Sequence, residues 1–160
     1  MRSIHDWFAE YSVSHQNHTN KAIHYICVPA IFFSVIGLLA SIPAGFLQSL
    51  VPPAFAPFAH WGTVVIILGL LFYLRLSFAV FVGMLVVCVL SLLGNYYLAR
   101  LNILPLWIIS LFIFAVAWVG QFIGHKIEGK KPSFLKDLAF LLIGPAWILG
   151  FVYRKLRIKY

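Results

Sequence analysis

At 160 residues, with 62% hydrophobic and only 10% charged side chains, the chain lies far from a soluble domain, in which about 25% of residues are charged. Its formal charge of +8 comes from twelve Lys and Arg residues. They sit at the ends of apolar blocks, which suits anionic lipid headgroups and topology control and excludes nucleic acid, since no soluble basic face exists to hold a duplex. Cys27 and Cys88 both fall inside apolar runs, so a disulfide framework is not expected.

The chain predicts an all-α integral membrane protein with four spans plus a C-terminal re-entrant or fifth segment, preceded by an N-terminal amphipathic interfacial helix. The first twenty residues lack the apolar core of a signal peptide. Residues 3–16 form the interfacial helix: Ser3 with Asp6 makes a weak capping box, and Ile4, Trp7, Phe8, Tyr11 and His15 share one stripe at helical spacing. Such a helix lies on the membrane surface. Gln16 to Asn20 break it, because Asn and Thr compete for backbone hydrogen bonds. Without that break His15 and His24 would fall on opposite faces of one helix; a turn lets them meet.

Asn20 is read as the N-cap of the first span, residues 21–42, with a kink expected at Pro29. An uncharged, proline-rich connection follows, then spans at 58–74, 78–93 and 105–123, each about the length a bilayer crossing needs. A turn containing Arg100 separates the last two. Residues 125–137 are polar, 138–151 form a short apolar segment containing Gly144-Pro145 and suited to a re-entrant or interfacial hairpin, and 152–160 make a basic tail. A cytoplasmic N-terminus puts Arg75, Lys126, Lys130, Lys131, Lys136 and the tail on the cytoplasmic side, with Arg100 the exception. The expected location is the cytoplasmic membrane in a bacterium, or the endoplasmic reticulum in a eukaryote.

Chemistry concentrates in two polar clusters about a hundred residues apart, YSVSHQNHTNKAIHYICVP and QFIGHKIEGKKP. On this topology His15, His24 and His125 share the cytoplasmic boundary, and His60 lies at the opposite end. Gln121, His125 and Glu128 share one helix face if the fourth span continues to Glu128. Neutral imidazoles with a carboxylate suit non-haem Fe(II), and three protein ligands with a water suit zinc. Tyr11, Asn20 and Gln121 fit as partners that fix tautomers and ring orientation. The plainer readings stay open: the histidines as interfacial capping residues, Glu128 as an ion partner of the nearby lysines, His18 as a bystander, His5 and His60 as structural. Trp7, Trp61, Trp107, Trp118 and Trp147 read as interface markers or packing.

Tyr11-x3-His15, Asn20-x3-His24 and Pro29, followed by QFIGHKIEGKKPS and the GPAW stretch at Gly144 to Trp147, resemble the membrane-bound 2-hydroxy fatty acid dioxygenase family, over nearly the whole chain. Its fungal members act in fatty-acid α-oxidation. The resemblance implies an enzyme that uses Fe(II) and O2, without 2-oxoglutarate, to shorten a 2-hydroxy fatty acid by one carbon, releasing CO2. It maps the metal histidines onto His15, His24 and His125. Two positions depart from the pattern: His18 stands where a proline is expected, and Leu149-Gly150-Phe151 where fungal members carry an acid. On this reading Lys21, Lys126 or Lys130 steers the carboxylate, and the acyl chain lies between apolar helices. The competing readings are a non-enzymatic lipid-binding or assembly protein and a zinc-dependent lipid hydrolase.

Overall fold

The computed structural model describes residues 2–131 and 139–160, and all of its regular structure is helical. In chain order the helices are α1 (Ile4–Ser12), α2 (His18–Ala40), α3 (Gly45–Ser49), a 3-10 turn (Pro53–Phe58), α4 (Trp61–Leu76), α5 (Phe78–Arg100), α6 (Leu106–Glu128) and α7 (Phe140–Lys155). Of the 125–137 polar segment, residues 132–137 lie outside the described part, as does Leu138.

Three helices, α2, α5 and α6, are apolar and 23 residues long. At 1.5 Å per residue each reaches about 34 Å, enough for a hydrocarbon core of about 30 Å. Their outward faces carry exposed Val86, Leu90, Phe112, Val116 and Val119, a surface that lipid tolerates and water does not. The chain is therefore a membrane protein. Helix α4 has 16 residues and reaches only about 24 Å.

Several boundaries differ from the sequence expectation. Asn17, not Asn20, caps α2: its side chain accepts from the Thr19 and Asn20 N–H groups. That frees the Asn20 side chain to turn inward. Helix α5 continues past residue 93 to Arg100 because Asn95, which reads as a turn residue, is buried and donates to the carbonyls of Phe33 and Ser91. Helix α6 does run on to Glu128, where Gly129, at φ 71°, lets the Lys130 N–H reach back to the His125 carbonyl. The C-terminal segment, expected as a re-entrant or fifth segment, is one continuous helix, α7, through Pro145 and not a hairpin.

The capping box at Ser3 forms in full, with Asp6 Oδ2 accepting from the Ser3 N–H and hydroxyl. The apolar stripe of α1 faces α7 rather than lipid: Trp7 meets Phe140 and Tyr11 meets Trp147 edge-on. His15 lies just beyond α1, in the connection to α2.

Helices α2 and α6 form the most extensive helix pair. They run antiparallel, since Asn20, Cys27 and Gly37 of α2 meet Gly124, Gly120 and Ser110 of α6 in turn. Glycine is required at this seam. A Cβ on Gly124 would collide with Asn20 Oδ1, and one on Gly120 would lie 2.6 Å from Cys27 Sγ. This close packing brings the start of α2 beside the end of α6, and α1 and α7 close over them.

Candidate metal centre

Three histidines from three elements converge at this end of the bundle. His15 comes from the α1–α2 connection, His24 from the first turns of α2, and His125 from the last turn of α6. Their ring centroids lie 4.4, 5.1 and 4.9 Å apart for the pairs 15–24, 15–125 and 24–125. Exposure of each ring is 6% or less.

Backbone geometry fixes two tautomers. His15 Nδ1 lies 2.6 Å from the Tyr11 carbonyl and His24 Nδ1 lies 2.9 Å from the Asn20 carbonyl. A carbonyl only accepts, so each Nδ1 carries the proton and each Nε2 a free lone pair. His15 Nε2 is buried with no hydrogen-bond partner. His24 Nε2 lies 3.3 Å from His125 Nε2, and one ligand atom from each of the three rings fits within a 4.8 Å span. Nitrogens sharing a cation at about 2.1 Å, with tetrahedral or octahedral angles, lie about 3.0–3.4 Å apart. The 3.3 Å between His24 Nε2 and His125 Nε2 matches that spacing, and the unpaired lone pair of His15 completes a set that closes on a divalent ion by a small shift of its ring. Burial lowers the pKa of His15 to about 3, against the Tyr11 carbonyl that raises it, so the ring is unprotonated at neutral pH as ligation requires.

The surrounding residues hold these rings. Tyr11 stacks on His15 at 4.1 Å with an interplanar angle of 12°. Its phenol is pushed up by burial, so it remains a neutral O–H donor. Trp147 lies 5.3 Å from His15, and its indole N–H donates to Ser12 Oγ.

Glu128 lies at the rim. Its carboxylate accepts from the Gln16 N–H at 2.8 Å, the Asn17 N–H at 2.9 Å and Asn20 Nδ2 at 3.0 Å. It therefore staples the α1–α2 connection to the end of α6. Among the described residues it makes no ion pair with the neighbouring lysines. Asn20 also donates to the Ser14 carbonyl, so one buried side chain ties the connection, α2 and Glu128 together.

Lys130 Nζ donates to the Val13 carbonyl at 2.8 Å, which spends it on the same connection. Lys126 is exposed and Lys21 half-buried at the rim, and His18 is exposed on the first turn of α2. His60 is remote, at the residue before α4, and its side chain makes no capping hydrogen bond.

A cavity of about 510 Å³ reaches the cluster at His125. Tyr11, Gln121 and His125 line its polar end, and Val35, Val65 and Phe114 its apolar depth. Gln121 Nε2 is buried without a hydrogen-bond partner, a donor left for whatever enters.

A family model described as 2-hydroxy-palmitic acid dioxygenase Mpo1-like matches residues 1–156. The chain belongs to this Mpo1-like family. No curated protein and no solved structure matches it.

Sequence reasoning brought out His15, His24, His125, Tyr11, Asn20, Gln121 and Glu128, and the structure gathers all seven around one point. It missed Trp147, read as an interface marker, and Trp118, which lines the cavity. The signal for Trp147 was present in the GPAW stretch, where Gly144 packs on Tyr11: a Cβ there would lie 3.1 Å from the phenol oxygen.

Proposed function

We propose that this chain is an Fe(II)-dependent, 2-oxoglutarate-independent dioxygenase that removes one carbon from 2-hydroxy fatty acids, with release of CO2. The observation that carries the reading is an apolar cavity whose polar end includes His125, one member of the three-histidine cluster. A hydrolase for bulky lipid esters would not need a dry slot ending on a cation site, whereas a long-chain acid with its polar head at the metal does.

His15, His24 and His125 would hold the metal, which supplies a Lewis-acidic, redox-active centre for O2 and the 2-hydroxy carboxylate. The chain's residues do the positioning. Gln121 Nε2 donates to an oxygen of the substrate head, and the neutral Tyr11 hydroxyl supplies a second donor at the same end. Lys21 and Lys126, on the rim, attract the carboxylate before it enters. Phe114, Trp118 and the α2 side chains exclude water from the acyl chain.

The depth of the slot supports a long chain. The α2 residues that line it run from Val28 to Ile36, about 12 Å at 1.5 Å per residue. With carbon–carbon bonds of about 1.5 Å in a zigzag, that length accommodates about ten carbons. The acid released would be one carbon shorter than the acid bound.

Oxygen uptake and the shortened acid are measured with purified protein, ferrous iron and 2-hydroxy acids of ten to eighteen carbons. O2 consumption and a one-carbon-shorter product, both lost in Gln121→Ala or His125→Ala, are expected. Turnover without O2, or full activity in His125→Ala, overturns the reading.

A further inference from the structure

The end of the bundle opposite the histidines carries a second cavity, of about 450 Å³, where the end of α2, the start of α4, the end of α5 and the start of α6 meet. His60, Asn95, Tyr96, Arg100 and Asn102 supply its polar lining. None of them belongs to the metal centre.

Among the described residues Arg100 has no counter-ion. Residues 41–60 and 101–105 contain no Asp or Glu, and the four acids of the chain are Asp6, Glu10, Glu128 and Asp137. The guanidinium donates to the Tyr96 hydroxyl at 2.6 Å and sits 5.4 Å from the centroid of that ring. A guanidinium has five N–H donors in a planar fork suited to phosphate, so this bond leaves most of the fork for an external acceptor. His60 is 7% exposed, and its Nδ1 is buried with no partner. A cation with no acidic partner among the described residues, lining one cavity with an unpaired buried imidazole, calls for an anion from outside.

The surroundings identify the kind of anion. Trp61, Tyr97, Leu101, Ile103 and Trp107, each next in sequence to a residue that lines the pocket, are exposed, the mixture of aromatic and aliphatic groups found where a membrane meets water. A free oxyanion would use the fork but leave this collar bare. An amphiphile with a phosphate head uses both.

We propose that this pocket binds the phosphate headgroup of an anionic phospholipid in the leaflet opposite the histidines. Arg100 grips the phosphate oxygens, Tyr96 holds the guanidinium, and the imidazole of His60 completes the polar lining. The acyl chains lie along Leu101 and Ile103.

Lipid retention is read by native mass spectrometry of protein released from nanodiscs of phosphatidylglycerol or phosphatidylcholine, with thermal midpoints measured in each. Wild type is expected to retain one phosphatidylglycerol and to melt higher in phosphatidylglycerol than in phosphatidylcholine. Arg100→Gln should bind that lipid roughly tenfold or more weakly, the scale of one lost charge-assisted hydrogen bond, and lose the difference in melting. Tyr96→Phe, a milder change, should weaken retention in the same direction. Arg75→Gln removes a cation from the histidine end and should leave retention unchanged.

Equal retention in wild type, Arg100→Gln and Tyr96→Phe overturns the site. So does equal loss in Arg75→Gln, which would mark a general charge effect. If millimolar inorganic phosphate in phosphatidylcholine discs reproduces the whole stabilisation, the pocket takes a free oxyanion and the lipid assignment fails.

Discussion

At the scale of single residues, His15 and His24 are held as neutral imidazoles by backbone carbonyls, with Nε2 left for a metal. This gives a signed dependence on pH. His15 has a folded pKa near 3 and an unfolded value near 6.5. Between those values the unfolded chain binds more protons than the folded one, so stability falls as pH falls through that window and is fully present above about 6.5. The metal-free protein should therefore melt lower at pH 5 than at pH 7.5, and His15→Gln should flatten that slope; an unchanged slope would contradict it. Glu128 makes a different prediction. Its carboxylate accepts three hydrogen bonds from Gln16, Asn17 and Asn20, and bonds to charged groups contribute roughly 1.5–3 kcal/mol each before the exposed part is discounted. Glu128→Ala should leave the histidines in the chain yet weaken metal affinity by about tenfold or more through a loosened connection. Metal affinity equal to wild type would show that the staple does not position His15.

The helices themselves explain why much of the architecture was legible in advance. Apolar runs bounded by Arg75, Arg100 and the Lys126–Lys131 group mark the spans, and the Ser3–Asp6 spacing marks the start of α1. What was not legible depends on tertiary contact. Asn95 looks like a helix breaker by propensity, yet the Phe33 carbonyl satisfies it inside the bundle, so α5 continues. Asn17 and Asn20 are equally good caps as residues; only the contact of Asn20 with Glu128 and Ser14, distant or not in sequence, decides between them. The stripe on α1 reads as a lipid-facing surface because the sequence gives no sign that α7 will cover it. At the α2–α6 seam, Gly124→Ala puts a methyl group against Asn20 Oδ1. Overpacking of this kind costs typically about 1–3 kcal/mol, and here it displaces the residue that ties the site together. A lower thermal midpoint with reduced metal content is expected, and wild-type values for both would refute the close approach.

For the whole molecule, the proposed chemistry belongs to the histidine end, and the packed helices supply the slot. The three clustered histidines, Tyr11, Asn20, Gln121 and Glu128 could be named from the two polar clusters because such groups are costly at a membrane boundary. The cavity could not, since Val35, Val65 and Phe114 are ordinary apolar residues until the helices pack. If the slot holds the acyl chain, Val35→Phe should shorten the preferred acid and lower kcat/KM for the longest substrate by about tenfold or more relative to a shorter one, as loss of room for a methylene or two implies. A uniform fall across all lengths would place the chain elsewhere.

The most direct test of the central claim is the metal content of detergent-purified protein, prepared anaerobically without chelator, beside a His24→Ala/His125→Ala double variant of verified helical content. The account predicts near-stoichiometric iron in the parent and none above background in the variant. Zinc in place of iron, or the same metal content in both proteins, would contradict it.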